Sequence, residues 1–239
     1  MIAGLYNNFK HWHISGTVWV ISDTHFGDKE LAAGIPGRPD DETLVKLINS
    51  KVGKKDTLIH LGDCGDTSFI QKLKGYKILI AGNHDAGHTQ YKRKVHNEEF
   101  NFTLKKDEII RCMREKYPNH KISLLEDCVF MADTYLYWDA YADDCLFDEV
   151  YEGPVMIGPK LILSHEPVNV PWAFNLHGHN HDPKHKNDSH HFNCNLDATG
   201  YCPINLNQWM KQGYLSRIED IHRQTINTAI IKSRNRRNK

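Results

Sequence analysis

Thr17-Val18-Trp19-Val20-Ile21-Ser22-Asp23-Thr24-His25 sets how the rest of the chain is read. A β-rich, mostly apolar run passes directly into four polar residues with no turn signal between them. Such a run predicts a short buried strand, here delivering Asp23 and His25 at its C-terminal end. The form recurs downstream. Residues 57–61 (TLIHL) end in Gly62-Asp63, and residues 76–81 (YKILIA) run into Gly82-Asn83-His84-Asp85. Between them, residues 40–52 carry Leu44, Leu47, Ile48 and Val52 at helical spacing, with acids in the first turn and Gly53 after the last. Residues 67–74 read as a shorter helix stopped by Gly75. Later, residues 160–163 (KLIL) lead into Ser164-His165, and residues 174–176 lead into His177-Gly178-His179. Strand, polar loop and helix in repetition predict an α/β domain. Its loops after the strands line one edge of a sheet, where the ligands of such sheets bind.

At 239 residues with 40% hydrophobic content, the chain can bury a sizeable core as one domain with an insertion. Lys+Arg and Asp+Glu are both 30. That neutrality argues against a protein that coats nucleic acid non-specifically, while leaving room for a local basic patch. Six cysteines form no CxxC pair and are too sparse for a disulfide scaffold, so reduced, mostly buried thiols of a cytoplasmic protein are expected. Residues 1–10 lack the features of a signal peptide, and no stretch approaches the roughly 18 apolar residues of a membrane span. No membrane partner is expected. Histidine is abundant, at 16 residues. It is the commonest metal-ligating side chain and a frequent acid or base, but enrichment alone decides nothing.

Residues 86–155 break the rhythm and read as a variable insertion. Within it, residues 98–117 read as a charged amphipathic helix stopped by Pro118. Residues 121–150, rich in aromatic and acidic side chains, read as further strands and loops, either a substrate-facing flap or an ordinary second-sheet edge. Residues 182–191 form a polar His/Lys/Asp loop, and residues 205–211 and 215–231 read as helices. The tail, residues 232–239, holds five cations and reads as solvated and frayed.

Taken singly, the polar clusters are weak. Asp23-x-His25 is more often structural than metal-binding, Gly62-Asp63 is commonplace in turns, and Gly82-Asn83-His84-Asp85 has the make-up of a capped turn. His177-Gly178-His179 carries more, because alternation puts both imidazoles on one side of an extended chain. The combination decides. So many His and Asp residues at one sheet edge would be costly to desolvate unpaired, and a metal centre explains them together.

The order DTH, GDCGD, GNHD, SHEP, GHNH resembles the calcineurin-like metallophosphoesterase superfamily, whose motifs run D-x-H, G-D, G-N-H-[DE], a later His and G-H-x-H. The resemblance spans Asp23 to His179. The stretch from Phe192 to Asp197, followed by Tyr201-Cys202-Pro203-Ile204, is similar to the ending of small bacterial and phage phosphoesterases of that superfamily. The resemblance implies a four-layer αββα sandwich, two mixed β-sheets packed together and flanked by helices. It also implies two divalent metal ions, one held by Asp23, His25 and His179, the other by Asn83, His165 and His177, with Asp63 bridging. Carboxylate, imidazole and amide ligands suit manganese first, with iron, zinc, nickel or magnesium as alternatives. His84 then contacts the phosphate and assists the leaving group, and Asp66 orients it. Protein phosphatases of the superfamily place Arg after that Asp; Thr67 here counts against that activity. Asp85 is expected to be structural, and most of Asn180, His181, His185, His190 and His191 to be solvated loop residues, with room for one to reach substrate. Arg38 is a candidate phosphate clamp, with an ordinary surface arginine as the simpler reading.

The expected activity is hydrolysis of a phosphodiester or phosphomonoester by attack of a metal-bridging hydroxide, the partner being a phosphate-ester substrate such as a nucleotide or nucleic-acid end. Nucleotide pyrophosphatase and a non-catalytic metal-stabilised scaffold are the alternatives. His84 speaks against the scaffold, since scaffolding has no use for a His without a ligand slot. A nucleic-acid module built on the tail lacks interleaved aromatics for stacking.

Overall fold

The opening run becomes β1 (Val18–Ile21), followed by α1 (Lys29–Gly34), α2 (Asp41–Lys51), β2 (Thr57–His60), α3 (Thr67–Ile70) and β3 (Tyr76–Ile80). The computed structural model describes residues 5–9, 16–85, 92–101, 111, 115, 122–124, 129–131, 135–182, 187–219 and 221–237. Two compact units are present: Met1–Asp85 with Glu149–Lys239, and Ala86–Asp148.

Ala86–Asp148 contains β4 (Lys92–Asn101), β5 (Ile122–Leu124), β6 (Val129–Met131) and β7 (Tyr135–Cys145). Long β7 pairs antiparallel with each of the other three. The helix expected from residue 98 does not begin there. Residues 98–101 belong to β4 and pair with Leu136, Tyr137, Trp138 and Tyr135 of β7, so cross-strand pairing overrides the local charge pattern. Of the remainder of that stretch only residues 111 and 115 are described, both helical.

The other unit continues with β8 (Glu149–Tyr151), β9 (Val155–Gly158), β10 (Leu161–Leu163), β11 (Phe174–His177), β12 (His191–Asn193), α4 (Leu196–Thr199), β13 (Ile204–Asn205), α5 (Leu206–Met210), a 3-10 turn at Tyr214–Arg217 and α6 (Ile221–Arg237). Two mixed sheets result. One runs β13-β1-β2-β3-β8, parallel except for β13; the other runs β12-β11-β10-β9, parallel except for β9. Alternation explains how they meet. Val18, Val20, Ile59, Ile78 and Ile80 from the first sheet share one core with Ile157, Leu161, Leu163, Phe174 and Leu176 from the second. On the first sheet's other face Ile21, Leu58 and Leu79 are also buried. Parallel strands of this kind are covered on both sides.

The cover comes from helices with legible boundaries. Asp40 caps α2 by accepting from the Thr43 N–H at 2.7 Å, Asp41 and Glu42 occupy its first turn, and Lys51 its last. The helix buries Leu44, Val45 and Ile48. The two mixed sheets flanked by helices agree with the architecture that the motif order implies. The tail differs. α6 continues to Arg237, so residues 232–237 are helical, and residues 232–235 are exposed.

Candidate metal centre

Parallel register sets the ends of β1, β2 and β3 side by side, Ile21 opposite His60 and His60 opposite Leu79. The loops beyond them are then stitched together. The N–H groups of Asp23, His25 and Phe26 donate to the carbonyls of Gly62, Asp63 and Cys64, each at 3.0 Å. Asp85 accepts from the backbone N–H of Asp63, Cys64 and Gly82 at 2.8–3.1 Å, tying the second loop to the third. From the other sheet, Gly178 N–H donates to His165 O at 2.8 Å, and His179 N–H donates to both carboxylate oxygens of Asp23 at 2.9 and 3.1 Å. Glycine is required at this approach. A Cβ on Gly178 would stand 1.9 Å from Ser22 Oγ and 2.4 Å from Asp23 Oδ2.

Two groups of ligand atoms result. Asp23, His25 and His181 place one atom each within 4.8 Å of one another, as do Asp63, His165 and His179. Asn83 joins the second group, with Oδ1 2.8 Å from His165 Nε2 and 3.1 Å from His179 Nδ1. Asp63 faces both groups, its Oδ2 3.5 Å from His25 Nε2 and 3.3 Å from His165 Nε2. Its Oδ1 accepts the His84 N–H at 2.9 Å.

The protonation pattern is chemically specific. His165 donates Nδ1–H to Leu61 O at 2.8 Å, which leaves its Nε2 lone pair facing Asn83 Oδ1, the Asp63 carboxylate and His179 Nδ1. His25 Nε2 is buried and has no hydrogen-bond partner. With His165 neutral, its Nε2 lone pair converges with the Asn83 oxygen and the Asp63 carboxylate, and the buried His25 Nε2 stands unpartnered beside them, an arrangement that a cation relieves. Burial opposes ionisation of Asp63, yet the adjacent His165 ring and the hydrogen bond from the His84 N–H hold its carboxyl down at about 2. Burial lowers His25 to about 4, so it stands as a neutral ligand. Burial raises Asp23, against the lowering influence of Ser22 and the neighbouring histidines.

The backbone carries a second mark. Asp23, His25, Asp63 and His179 adopt φ of 58°, 42°, 56° and 67°, and among the described residues only Tyr201 joins them as a positive-φ non-glycine. Such conformations cost on the order of 1–3 kcal/mol each and persist where the surroundings impose them.

Six of the seven expected metal ligands, Asp23, His25, Asp63, Asn83, His165 and His179, are brought together; His177 is not. As the last residue of β11 it shares a face with Asn175, opposite Phe174 and Leu176. Its Nδ1–H donates to Gly178 O at 2.7 Å and its ring packs on His191 at 5.9 Å. His179 takes the place expected for His177, and His181 the place expected for His179. Reading Gly178-His179-Asn180-His181 as the G-H-x-H unit, rather than the pair that ends the strand, would have found His181.

His84 lines the same cleft, about 550 Å³ in volume, with its ring 5.4 Å from that of His25. Asp66 has a different job from the one expected. Its carboxylate accepts the Ser68 N–H at 2.8 Å and caps α3, and no hydrogen bond among the described residues joins it to His84. Arg38 is neither at the surface nor free for phosphate. Its side chain is 3% exposed and pairs with Asp197. Asp85 has the expected structural role. Cys64 and Cys194 are buried, whereas Cys202 is exposed.

Residues 17–134 match the family model of the calcineurin-like phosphoesterase superfamily domain. Over that stretch the chain is similar to calcineurin-like phosphoesterases. The match covers the first three polar clusters, while His165, His179 and His181 lie beyond it. The Gene 66 protein of Mycobacterium phage L5 is 39% identical over 84 residues, which is 29% of this chain and 40% of that relative. A solved structure of a protein of unknown function from Aquifex aeolicus is 20% identical with a TM-score of 0.49, covering 82% of this chain and 99% of that one. Among the described residues, no helix is long and apolar enough to cross a membrane.

Proposed function

We propose that this chain hydrolyses a phosphodiester or phosphomonoester with two divalent metal ions. Asp23, His25 and His181 would hold one, Asn83, His165 and His179 the other, with Asp63 between them. When bound, such ions neutralise phosphate charge and lower the pKa of water enough to make it a nucleophile at neutral pH. The observation that carries the reading is the convergence of acceptors, with the partnerless His25 Nε2 on one side of Asp63 and the His165 Nε2 lone pair on the other. No thiol takes part, and the mixture of oxygen and imidazole favours manganese, iron or zinc over calcium.

The protein's own residues do the rest. Asp63, ionised well below neutral pH, supplies negative charge to both positions. His84, exposed at the mouth of the cleft and fixed through its N–H to Asp63, is placed to meet the phosphate and pass a proton to the leaving oxygen. The cleft also exposes Leu31 and Ile35 beside Asp28 and Glu30, which fits an ester with an organic group better than a bare polyphosphate.

The test is hydrolysis of a chromogenic phosphodiester and its monoester by metal-stripped protein after restoring Mn2+, Zn2+, Ni2+ or Mg2+ singly. Turnover should return with metal and collapse in Asp63→Ala and in His84→Ala, the latter with metal content intact. Protein that binds no metal sinks the proposal.

A further inference from the structure

We infer that Arg38 and Asp197 are positioning residues for His181, forming a buried relay that aims its Nε2 at the first metal position. The inference rests on the two-metal reading for what occupies that position. The two residues lie 159 positions apart in sequence, with side chains 3% and 2% exposed. One guanidinium nitrogen of Arg38 donates to both carboxylate oxygens of Asp197, at 2.6 and 2.5 Å. The other donates to Thr24 O at 2.6 Å and Asp23 O at 3.3 Å. Asp197 Oδ2 also accepts from His181 Nδ1 at 2.7 Å, and His181 Nε2 then lies 3.6 Å from Asp23 Oδ1. The contacts close a ring that starts at Asp23, passes through Arg38, Asp197 and His181, and returns to Asp23.

Each link restricts the next. Asp197 is fixed by its own backbone, because its N–H donates to Asn195 Oδ1 at 2.8 Å and Leu196 N–H donates to Ser22 O at 3.2 Å. Its carboxylate can only accept, so it selects the His181 tautomer with the proton on Nδ1 and leaves a lone pair on Nε2. Arg38 holds that carboxylate in one orientation while also holding the Asp23–Thr24 backbone. A buried ion pair contributes little net stability over an apolar pair of the same volume. What this pair adds is direction for a ligand.

The test compares wild type with Asp197→Ala, Asp197→Asn and Arg38→Lys by two readouts. Ring-nitrogen NMR on metal-free protein reports the His181 tautomer, and titration calorimetry with Mn2+ reports the two affinities. Wild type should show His181 protonated on Nδ1. Asp197→Ala should lose that preference and weaken one of the two Mn2+ affinities by about 10–100-fold, leaving the other in place. Asp197→Asn, which keeps an acceptor without the charge, and Arg38→Lys should fall between. A folded Asp197→Ala protein with unchanged tautomer and unchanged affinities overturns the inference. Should that variant not fold, the same comparison is made on the two milder ones. Wild-type protein that takes up no Mn2+ would refute the two-metal reading instead, and the tautomer comparison would then decide this inference alone.

Discussion

His177 and His181 lie four positions apart and differ in everything that bears on chemistry. His181 points Nε2 at Asp23, whereas His177 lies on the outward side of its strand. His181→Ala should therefore reduce bound metal from two ions to one per chain after desalting, by elemental analysis, and lower turnover by at least about 10–100-fold. His177→Ala should retain both ions; loss of an ion there would return the ligand role to the strand residue. A separate expectation concerns His60, fully buried behind the site, with Nε2 3.0 Å from Thr24 Oγ1. Burial holds it at about 4 against an ordinary 6.5, and His25 likewise. Unfolding lets both imidazoles take up protons between those values. Their contribution to stability is complete above about pH 6.5 and is lost as pH falls toward about 4. His165 works the other way, since burial is outweighed there by the neighbouring carboxylates of Asp63 and Asp23. The decisive comparison is thus the fall in Tm of metal-free wild type across that range against the shallower fall expected for His60→Gln. Parallel curves would remove His60 from the account. At this scale the sequence exposes residues whose spacing is local, such as Asp23 with His25 or Asn83 with His84. It conceals Arg38 and Asp197, whose roles exist only once distant segments meet.

Among the elements, the strands that feed the site were legible because an apolar run ending in polar residues needs no tertiary information. α2 was legible from its Asp40 cap and the spacing of its apolar residues. β4 was not, because its alternation is broken by Glu98-Glu99 and its pairing partner lies in β7. The point where elements press closest is Gly178, following β11 and set against the end of β1. Gly178→Ala should cost about 1–3 kcal/mol, read as a lowered urea midpoint with unchanged slope, because the new methyl displaces Ser22 and Asp23. Metal affinity should fall in the same variant, since Asp23 accepts from the neighbouring His179 N–H. Wild-type stability in that variant would mean that the two loops are free to part.

For the whole molecule, ligands drawn from both sheets make metal binding a bond across the sandwich. Ion present at 100-fold over its Kd should stabilise the folded chain by about 2.7 kcal/mol per site. For a chain of this length each kcal/mol raises Tm by roughly 2–4 °C. Calorimetry with Mn2+ and with a chelator should show that gap in wild type and about half of it in His181→Ala. Equal melting with and without metal would mean that no ion bridges the sheets. The packed two-sheet architecture was foreseeable from the family resemblance, but which side chains share the core between the sheets, Ile59 and Ile78 with Leu163 and Phe174, was not.

The left-handed backbone at Asp23, His25, Asp63 and His179 also has a history to tell. Glycine would hold those bends at lower cost, and a population under selection for persistence alone would drift toward it. A polar side chain at such a bend is a standing cost in stability, of the kind that a working site carries and a mere scaffold sheds. Sister sequences can be sorted accordingly. A lineage with glycine at these positions should be the better folded and should have lost whatever chemistry the polar side chains perform.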